Sequence, residues 1–174
     1  MGYGEQNYQK LIDKKILKIA KKFDFKPFYE IKSLILMEID VKSFTTNVNQ
    51  FDTKDLLDLL NHYIEFVTNE IELYDGVIEQ IVGDNIYCIF GLDSELDDTS
   101  PCRFAQKCVL YMKKNLSIEL SIGLYKGDTV YGFFGAKDHL FFATIGDSKK
   151  FVKYYQSLNI KFNSSIILSK EIHT

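Results

Sequence analysis

Two aspartates lie where folding could bring their carboxylates together. Asp40 ends a short apolar segment of strand length, SLILMEID, and Asp84 follows Gly83 between two strand-like segments, residues 77–82 and 86–90. Because Gly and Asp both tolerate left-handed backbone conformations, this pattern predicts a β-hairpin with Asp84 in its turn. A hairpin that pairs beside the first strand would make the two aspartates neighbours.

A carboxylate pair of this kind either shares one proton or binds divalent cations. Carboxylate oxygens together with substrate phosphates are the ligands that Mg²⁺ prefers. The segment after Asp40, VKSFTT, is expected to turn into a helix, whose backbone N–H groups could hold a phosphate. The alternative is that Asp40 and Asp84 are ordinary surface turn residues.

The composition restricts the classes of function. The 174 residues are 46% hydrophobic and 26% charged, which is typical of one folded domain, and the net charge of −3 argues against nucleic-acid binding. No apolar segment approaches the roughly 20 residues of a membrane helix, so membrane association is not expected. The three cysteines and three histidines lack metal-ligand spacing, and we therefore expect a reduced, cytoplasmic protein without a zinc site.

Hydrophobic periodicity and turn residues predict the remaining elements. Helices are expected at residues 8–25, 53–74, 100–115 and 148–158, and further strands at residues 118–125, 129–134, 140–145 and 165–168, with a turn at 126–128. The order β-α-β-β-α-β with additions predicts an α+β fold of the ferredoxin-like or palm type, a mixed sheet with helices packed on one face.

The N-terminal helix is amphipathic and its outer face is rich in lysine. We expect residues 1–30 to form this helix and a lead-in, and residues 31–174 to form the main domain. The helix is expected to cover its own domain or a dimer partner. The alternative is a helix that lies on a membrane surface.

Four local sequences occur in order around these features: IDVKSFT, YDGVIEQIVGDNIYCIFG, SIGLYKGDTVYGFFG and FFATIGDS. Together they resemble the motifs DIxGFT, GGxxxKxxGDxxxAxFG, xIGIxxGxxxxGxxG and YxxIGxxVNxAxRL of class III nucleotidyl cyclases, the catalytic domains of adenylate and guanylate cyclases. The resemblance covers roughly residues 34–170. A palm of the diguanylate cyclase type is an alternative, but the sequence around Asp84 fits the class III form better.

The resemblance implies a metal and triphosphate site. Asp40, Asp84 and the main-chain carbonyl of Val41 would bind two Mg²⁺ or Mn²⁺ ions, and the backbone amides of Phe44 and Thr45 would hold the triphosphate. The implied reaction is attack of the ribose 3′-hydroxyl on the α-phosphate of a nucleoside triphosphate, with loss of pyrophosphate. In this family the site is shared across a head-to-tail dimer, which implies a homodimer or a heterodimer with another cyclase chain.

The residues that would recognise the base depart from the family. The position of the purine-selecting Lys or Glu falls on Gln80, and the position of its partner falls on Ala143. A neutral amide both donates and accepts hydrogen bonds, so it suits no single purine and could pair with a pyrimidine. Some bacterial cyclases of this fold make cyclic UMP or cyclic CMP in antiphage signalling, and a short domain with an altered base pocket is similar to them.

The catalytic positions depart as well. The ribose-orienting asparagine falls on Lys150 and the transition-state arginine on Tyr154, while the sole arginine, Arg103, lies on an earlier helix. Lys149, Lys150 or Lys153 could supply a positive charge, although lysine lacks the bidentate geometry of arginine. The sequence therefore favours a divergent nucleotidyl cyclase. The alternative is a catalytically degenerate domain that binds nucleotide or dimerises as a regulatory module.

Overall fold

A computed structural model describes residues 12–44, 52–136 and 138–173. The helices are α1 (Lys14–Lys22), α2 (Thr53–Ile71), α3 (Thr99–Asn115) and α4 (Asp147–Phe162), and the strands are β1 (Phe28–Val41), β2 (Gly76–Val82), β3 (Asn85–Phe90), β4 (Leu120–Ala136), β5 (His139–Ile145) and β6 (Ile166–Leu168). None of the helices in these ranges is long and apolar enough to cross a lipid bilayer.

The six strands form one mixed sheet in the order β2-β3-β1-β4-β5, with β6 parallel to β4 and the other pairs antiparallel. The predicted βαββαβ order is confirmed, and so is the placement of the β2–β3 hairpin beside β1. This placement brings the end of β1 to the hairpin turn.

β1 is longer than the predicted strand at residues 33–40, because β4 pairs with it along its whole length. The pairing runs from Phe28 opposite Phe133 to Val41 opposite Leu120. The first part of β1 therefore has a partner only in the tertiary structure, and its sequence pattern alone did not indicate a strand there.

The predicted turn at residues 126–128 is wrong, because β4 runs through it without a break. Gly127 pairs with Leu34 and Asp128 pairs with Ser33 in the β1–β4 ladder. Hydrogen bonds to a neighbouring strand overcome the local turn preference of a Lys-Gly-Asp sequence. The segments predicted as two strands are one strand, β4.

Helices cover both faces of the sheet, not one face as predicted. The side chains of Ile35, Met37 and Ile39 lie in a core with α2 and α3. Leu34 and Leu36 point to the opposite face, where they join a core with residues of α1 and α4. Consecutive apolar residues in a strand require cover on both faces, since neighbouring side chains point in opposite directions.

The described part of the N-terminal helix is shorter than predicted. α1 begins after Asp13, whose side chain accepts a hydrogen bond from the main-chain N–H of Lys15 at 2.8 Å, and it ends at Lys22. Its residues Ile16 and Ala20 are buried against the sheet, so α1 covers its own domain. Residues 8–11 of the prediction lie outside the described residues. The division at residues 30 and 31 stays a prediction, and β1 runs through it.

Candidate active site

Asp40 lies one residue before the end of β1 and opposite Ser121 of β4. Two amide groups hold its carboxylate: Asn85 Nδ2 donates to Asp40 Oδ1 at 3.0 Å, and Gln156 Nε2 donates to Asp40 Oδ2 at 3.2 Å. The first donor comes from β3 and the second from α4. Each carboxylate oxygen therefore has a fixed donor, and lone pairs remain for a further ligand.

Asp84 lies in the two-residue turn between β2 and β3, as predicted. Gly83 before it has a φ of 63°, which favours glycine. The main-chain carbonyl of Asp84 accepts a hydrogen bond from the hydroxyl of Tyr63 at 3.2 Å, and Tyr63 is fully buried on α2. The hairpin turn is thus fixed from beneath by a core helix.

The carboxylate of Asp84 lies close enough to raise the pKa of Asp40. Burial first, and then the negative charges of Asp84 and Glu38, raise the pKa of Asp40 to about 6, while the hydrogen bond from Gln156 acts in the opposite direction. Ionised Asp40 is therefore disfavoured in the absence of a cation. A bound cation would remove this penalty.

The donor set fits a divalent cation with oxygen ligands. It contains the two carboxylates and, beside them, Asn85, whose buried Oδ1 has no hydrogen-bond partner among the described residues. The described ranges contain no group of three or more His, Cys, Asp or Glu residues suited to a metal, so main-chain and substrate oxygens would complete the coordination. Val41 has a buried side chain at the end of β1, and the role of its carbonyl stays a prediction.

The segment after β1 is described only in part. The main-chain N–H of Lys42 donates to the carbonyl of Glu119 at 2.8 Å, and Ser43 has a φ of 59°, so the chain turns sharply here. Phe44 is half-buried and packs against the core beneath α2 and α3. Thr45 lies outside the described residues. Phosphate binding by Phe44 and Thr45 therefore stays a prediction.

Gln80 and Ala143 lie on the two edge strands of the sheet. Gln80 is exposed on β2, immediately after an irregularity in the β2–β3 ladder. Ala143 is half-buried on β5, and the next residue, Thr144, points to the opposite face and is buried. The assignment of Gln80 and Ala143 to base recognition stays a prediction.

Glu79 is a polar site residue that the sequence analysis missed. It is the extra residue in the β2–β3 ladder, since Ile78 pairs with Cys88 and Gln80 with Tyr87. Its carboxylate accepts hydrogen bonds from the main-chain N–H and the hydroxyl of Thr144, at 2.9 and 2.8 Å. The one sign of Glu79 in the sequence is an acidic residue within a largely apolar strand pattern, VIEQIV.

The three predicted catalytic residues lie on α4 in different surroundings. Lys149 Nζ lies 2.5 Å from Glu79 Oε1, and the side chain of Glu79 is only 3% exposed. Lys150 is exposed and pairs with Asp147 at 2.8 Å. Tyr154 is exposed on the same side of the helix, one turn after Lys150. Lys149 is therefore held by a buried carboxylate, whereas Lys150 and Tyr154 face solvent.

Glu38 is a third carboxylate near the candidate site, on β1 two residues before Asp40. It is 1% exposed, and its Oε1 accepts a hydrogen bond from the hydroxyl of Tyr87 at 3.0 Å. Burial raises the pKa of Glu38, while the positive charges of Lys153 and Lys149 oppose that effect. Two of the candidate cations thus stabilise a buried carboxylate in the same chain.

No family model matches the chain. Several curated proteins and solved structures are similar to it. It is 24% identical over 151 residues to the terminal-differentiation-specific adenylate cyclase of Dictyostelium discoideum, an alignment that covers 80% of this chain and 7% of that protein. It is 22% identical over 146 residues to adenylate cyclase 1 of Rhizobium meliloti, which covers 76% of this chain and 22% of that protein. The chain thus spans less than a quarter of the length of either relative.

A solved bacterial light-regulated adenylyl cyclase has the same fold, with a TM-score of 0.85 over 96% of this chain and 52% of that chain, at 15% identity. This chain has the class III nucleotidyl cyclase fold. The resemblance carried by the four local sequences is therefore confirmed for the fold, and the sequence has diverged widely from these proteins, since its identity to them is low.

In this fold, the predicted base-recognition residues lie apart from the carboxylate pair. A cavity of about 900 Å³ lies between α1, α2, β2 and β5, and Glu79 and Gln80 are among its lining residues. Asp40 and Asp84 are not among them. Within one chain, the cavity with Glu79 and Gln80 and the pair of Asp40 and Asp84 are therefore separate sites.

Proposed function

We propose that this domain is a metal-dependent nucleotidyl cyclase that converts a nucleoside triphosphate into a 3′,5′-cyclic nucleotide and pyrophosphate. The observation that carries the proposal is the placement of two carboxylates, Asp40 near the end of β1 and Asp84 in the β2–β3 turn, side by side at one end of the sheet. A domain without a ligand there gains nothing from two repelling carboxylates. The sequence relatives named adenylate cyclases support the same activity.

The residues would divide the chemistry between them. Asp40, Asp84 and the carbonyl of Val41 would hold two Mg²⁺ or Mn²⁺ ions, which when bound supply the charge that activates the hydroxyl and neutralises the phosphates. The ribose 3′-oxygen forms a bond to the α-phosphorus, the bond to the pyrophosphate oxygen breaks, and the hydroxyl proton passes to water. Lys150 and Tyr154 would face the phosphates as a cation and a hydrogen-bond donor.

The base stays open between purines and pyrimidines. The exposed amide of Gln80 can donate and accept, and it lies beside the carboxylate of Glu79 in the lining of one cavity. The oxygens of Glu79 are already bonded to Thr144 and Lys149, so the amide of Gln80 would face the base, and an amide matches the donor and acceptor edges of purines and pyrimidines alike. A pyrimidine product would support a role in cyclic UMP or cyclic CMP signalling of the antiphage type.

We infer a head-to-tail dimer, supported by an apolar sheet face that lies open around Ala143. Tyr29 and Ile31 of β1 are 70% and 67% exposed, and Phe141 and Ile145 of β5 are 52% and 46% exposed. The strand register places all four on one face, with Ala143 between the two β5 residues. An Ile31→Lys variant should sediment as a monomer if this face joins two cyclase chains.

The cellular setting is part of the same proposal. All three cysteines are free and buried, which supports a reducing, cytoplasmic compartment. The net charge of −3 argues against nucleic acid as a partner, because such partners usually need a surplus of positive charge on the protein.

A product assay tests the activity. The purified chain is incubated separately with ATP, GTP, CTP and UTP in Mg²⁺ or Mn²⁺, and the cyclic nucleotide is identified by mass spectrometry. Asp40→Ala and Asp84→Ala should abolish the product, whereas Asp58→Ala, which changes an exposed carboxylate on α2, should not. A product that survives in Asp40→Ala and Asp84→Ala would contradict the proposal.

The surroundings of α4 favour one second candidate, a degenerate cyclase domain that regulates a partner. Tyr154 occupies the expected arginine position, Lys149 is held by Glu79, and Lys150 pairs with Asp147. The missing arginine and the two ion pairs each leave less positive charge free to bind a phosphate. Nucleotide binding by a folded dimer, without product from any of the four nucleotides, would establish this candidate.

A further inference from the structure

Gln156 connects α4 to the candidate metal site. It is only 8% exposed, and its Nε2 donates both to Asp40 Oδ2 at 3.2 Å and to Ser121 Oγ at 3.0 Å. One amide group thus bridges the carboxylate at the end of β1 and a hydroxyl on β4. No motif in the sequence indicates this role.

The hydrogen-bond partners determine which way the Gln156 amide points. The hydroxyl of Ser121 donates to the main-chain carbonyl of Gln156 at 3.0 Å, so its single proton is already used. Ser121 Oγ therefore accepts from the side chain of Gln156, and the neighbouring oxygen of Asp40 is an acceptor when ionised. A reversed amide would place an oxygen against two acceptors.

Gly123 explains how α4 comes close enough for this contact. A Cβ atom at Gly123 would lie 2.3 Å from the main-chain nitrogen of Gln156 and 2.6 Å from the carbonyl oxygen of Val152. The backbone of α4 therefore lies directly on β4 at this point, and only glycine leaves the necessary space. The close approach brings the side chain of Gln156 within reach of Asp40.

We infer that Gln156 is a positioning residue, which orients the carboxylate of Asp40 for a divalent cation and ties the metal site to α4. The inference rests on the proposed metal-dependent function. The donor on Oδ2 limits rotation of the carboxylate, and each oxygen keeps a lone pair for a further ligand. Loss of an outer hydrogen bond to a metal ligand typically weakens metal affinity about 10- to 100-fold.

Mn²⁺ binding to the full chain tests the inference without reference to activity. Free Mn²⁺ is measured by electron paramagnetic resonance during a titration, and circular dichroism confirms folding of each variant. Gln156→Met keeps the side-chain length but removes the donor, and we expect its Mn²⁺ dissociation constant to rise at least about 10-fold. Ser121→Ala, which removes the second anchor of the amide, should show a smaller rise.

Asn159→Leu is the matched control. Asn159 is fully buried on α4, and its Nδ2 donates to the carbonyls of Ile122 and Gln156 at 2.9 Å each. The substitution removes one hydrogen bond between α4 and β4 and one within α4, and neither involves Asp40. Its Mn²⁺ affinity should stay within about twofold of the unmodified chain.

The outcomes separate this inference from the proposed function. An unchanged affinity in Gln156→Met, or an equal loss in Gln156→Met and Asn159→Leu, would overturn the positioning role while the metal site stands. Failure of the folded, unmodified chain to bind Mn²⁺ better than Asp84→Ala would overturn the metal site and the inference with it. If Gln156→Met does not fold, the comparison of Ser121→Ala with Asn159→Leu decides.

Discussion

The carboxylate of Glu79 on β2 accepts a hydrogen bond from the main-chain N–H of Thr144 on β5, over 2.9 Å. These two strands are the opposite ends of the strand order β2-β3-β1-β4-β5, so one side chain links the two edges of a curled sheet. An edge-strand N–H that would otherwise need water or another chain is thereby satisfied. The same carboxylate that closes the sheet also holds Lys149, one of the predicted catalytic residues.

Breaking the pair between Glu79 and Lys149 should destabilise the domain. Glu79→Gln and Lys149→Met should each lower the free energy of unfolding by about 2 kcal/mol, because each leaves a partly buried charge without its partner. The double variant should lose less than the sum of the two, by about 1 kcal/mol or more. Urea denaturation measures all three. Lys150→Met, which breaks the exposed pair with Asp147, should leave the free energy of unfolding unchanged within error.

Removing one carboxylate of the metal pair should have opposite effects with and without metal. Without divalent cations, Asp84→Asn should be more stable than the unmodified chain, because it removes the repulsion with Asp40. With millimolar Mn²⁺, the unmodified chain should gain stability and Asp84→Asn should gain little. Thermal unfolding with and without Mn²⁺ checks this prediction. Equal stabilisation of both proteins would show that Mn²⁺ binds elsewhere.

The pKa of Asp40 predicts how stability depends on pH. The folded-state pKa is about 6, above the ordinary value of 3.8, so the folded chain binds this proton more tightly than the unfolded chain does. Its contribution to stability is therefore lost as pH rises from about 4 to about 6. Asp40→Asn should be more stable than the unmodified chain at pH 7, and the difference should shrink toward pH 4. A difference that does not vary with pH would contradict this account.

Tyr154→Arg should raise the rate of cyclisation if the domain is a cyclase. An arginine in phosphoryl transfer is worth about 10³- to 10⁵-fold in rate, and even an imperfectly placed arginine should increase kcat at least about 10-fold. Tyr154 is exposed, so the change should affect stability little. Steady-state kinetics with the preferred nucleotide measures the effect. Ser157→Arg, three residues further along α4, is a control for the added charge. The same increase in both variants would point to charge alone.

Much of the fold follows from local sequence. The consecutive apolar residues of β1, the hairpin around Gly83 and Asp84, and the apolar spacing of α2 and α3 each express a short-range rule of backbone and side-chain geometry. The pairing of Asp40 with Asp84 follows from the order of those elements, since a β2–β3 hairpin beside β1 leaves little choice for their positions. These features depend on neighbours in the chain.

Only the tertiary structure decided the rest, because the contacts join residues far apart in the sequence. The ladder with β1 keeps β4 extended through residues 126–128 against its local turn preference. The extra residue in β2 turns Glu79 toward Thr144 and Lys149 and leaves Gln80 exposed. The close approach of α4 at Gly123 brings Gln156 to Asp40. Strand pairing and side-chain packing across the sheet set these contacts, and the sequence pattern of a single element does not contain them.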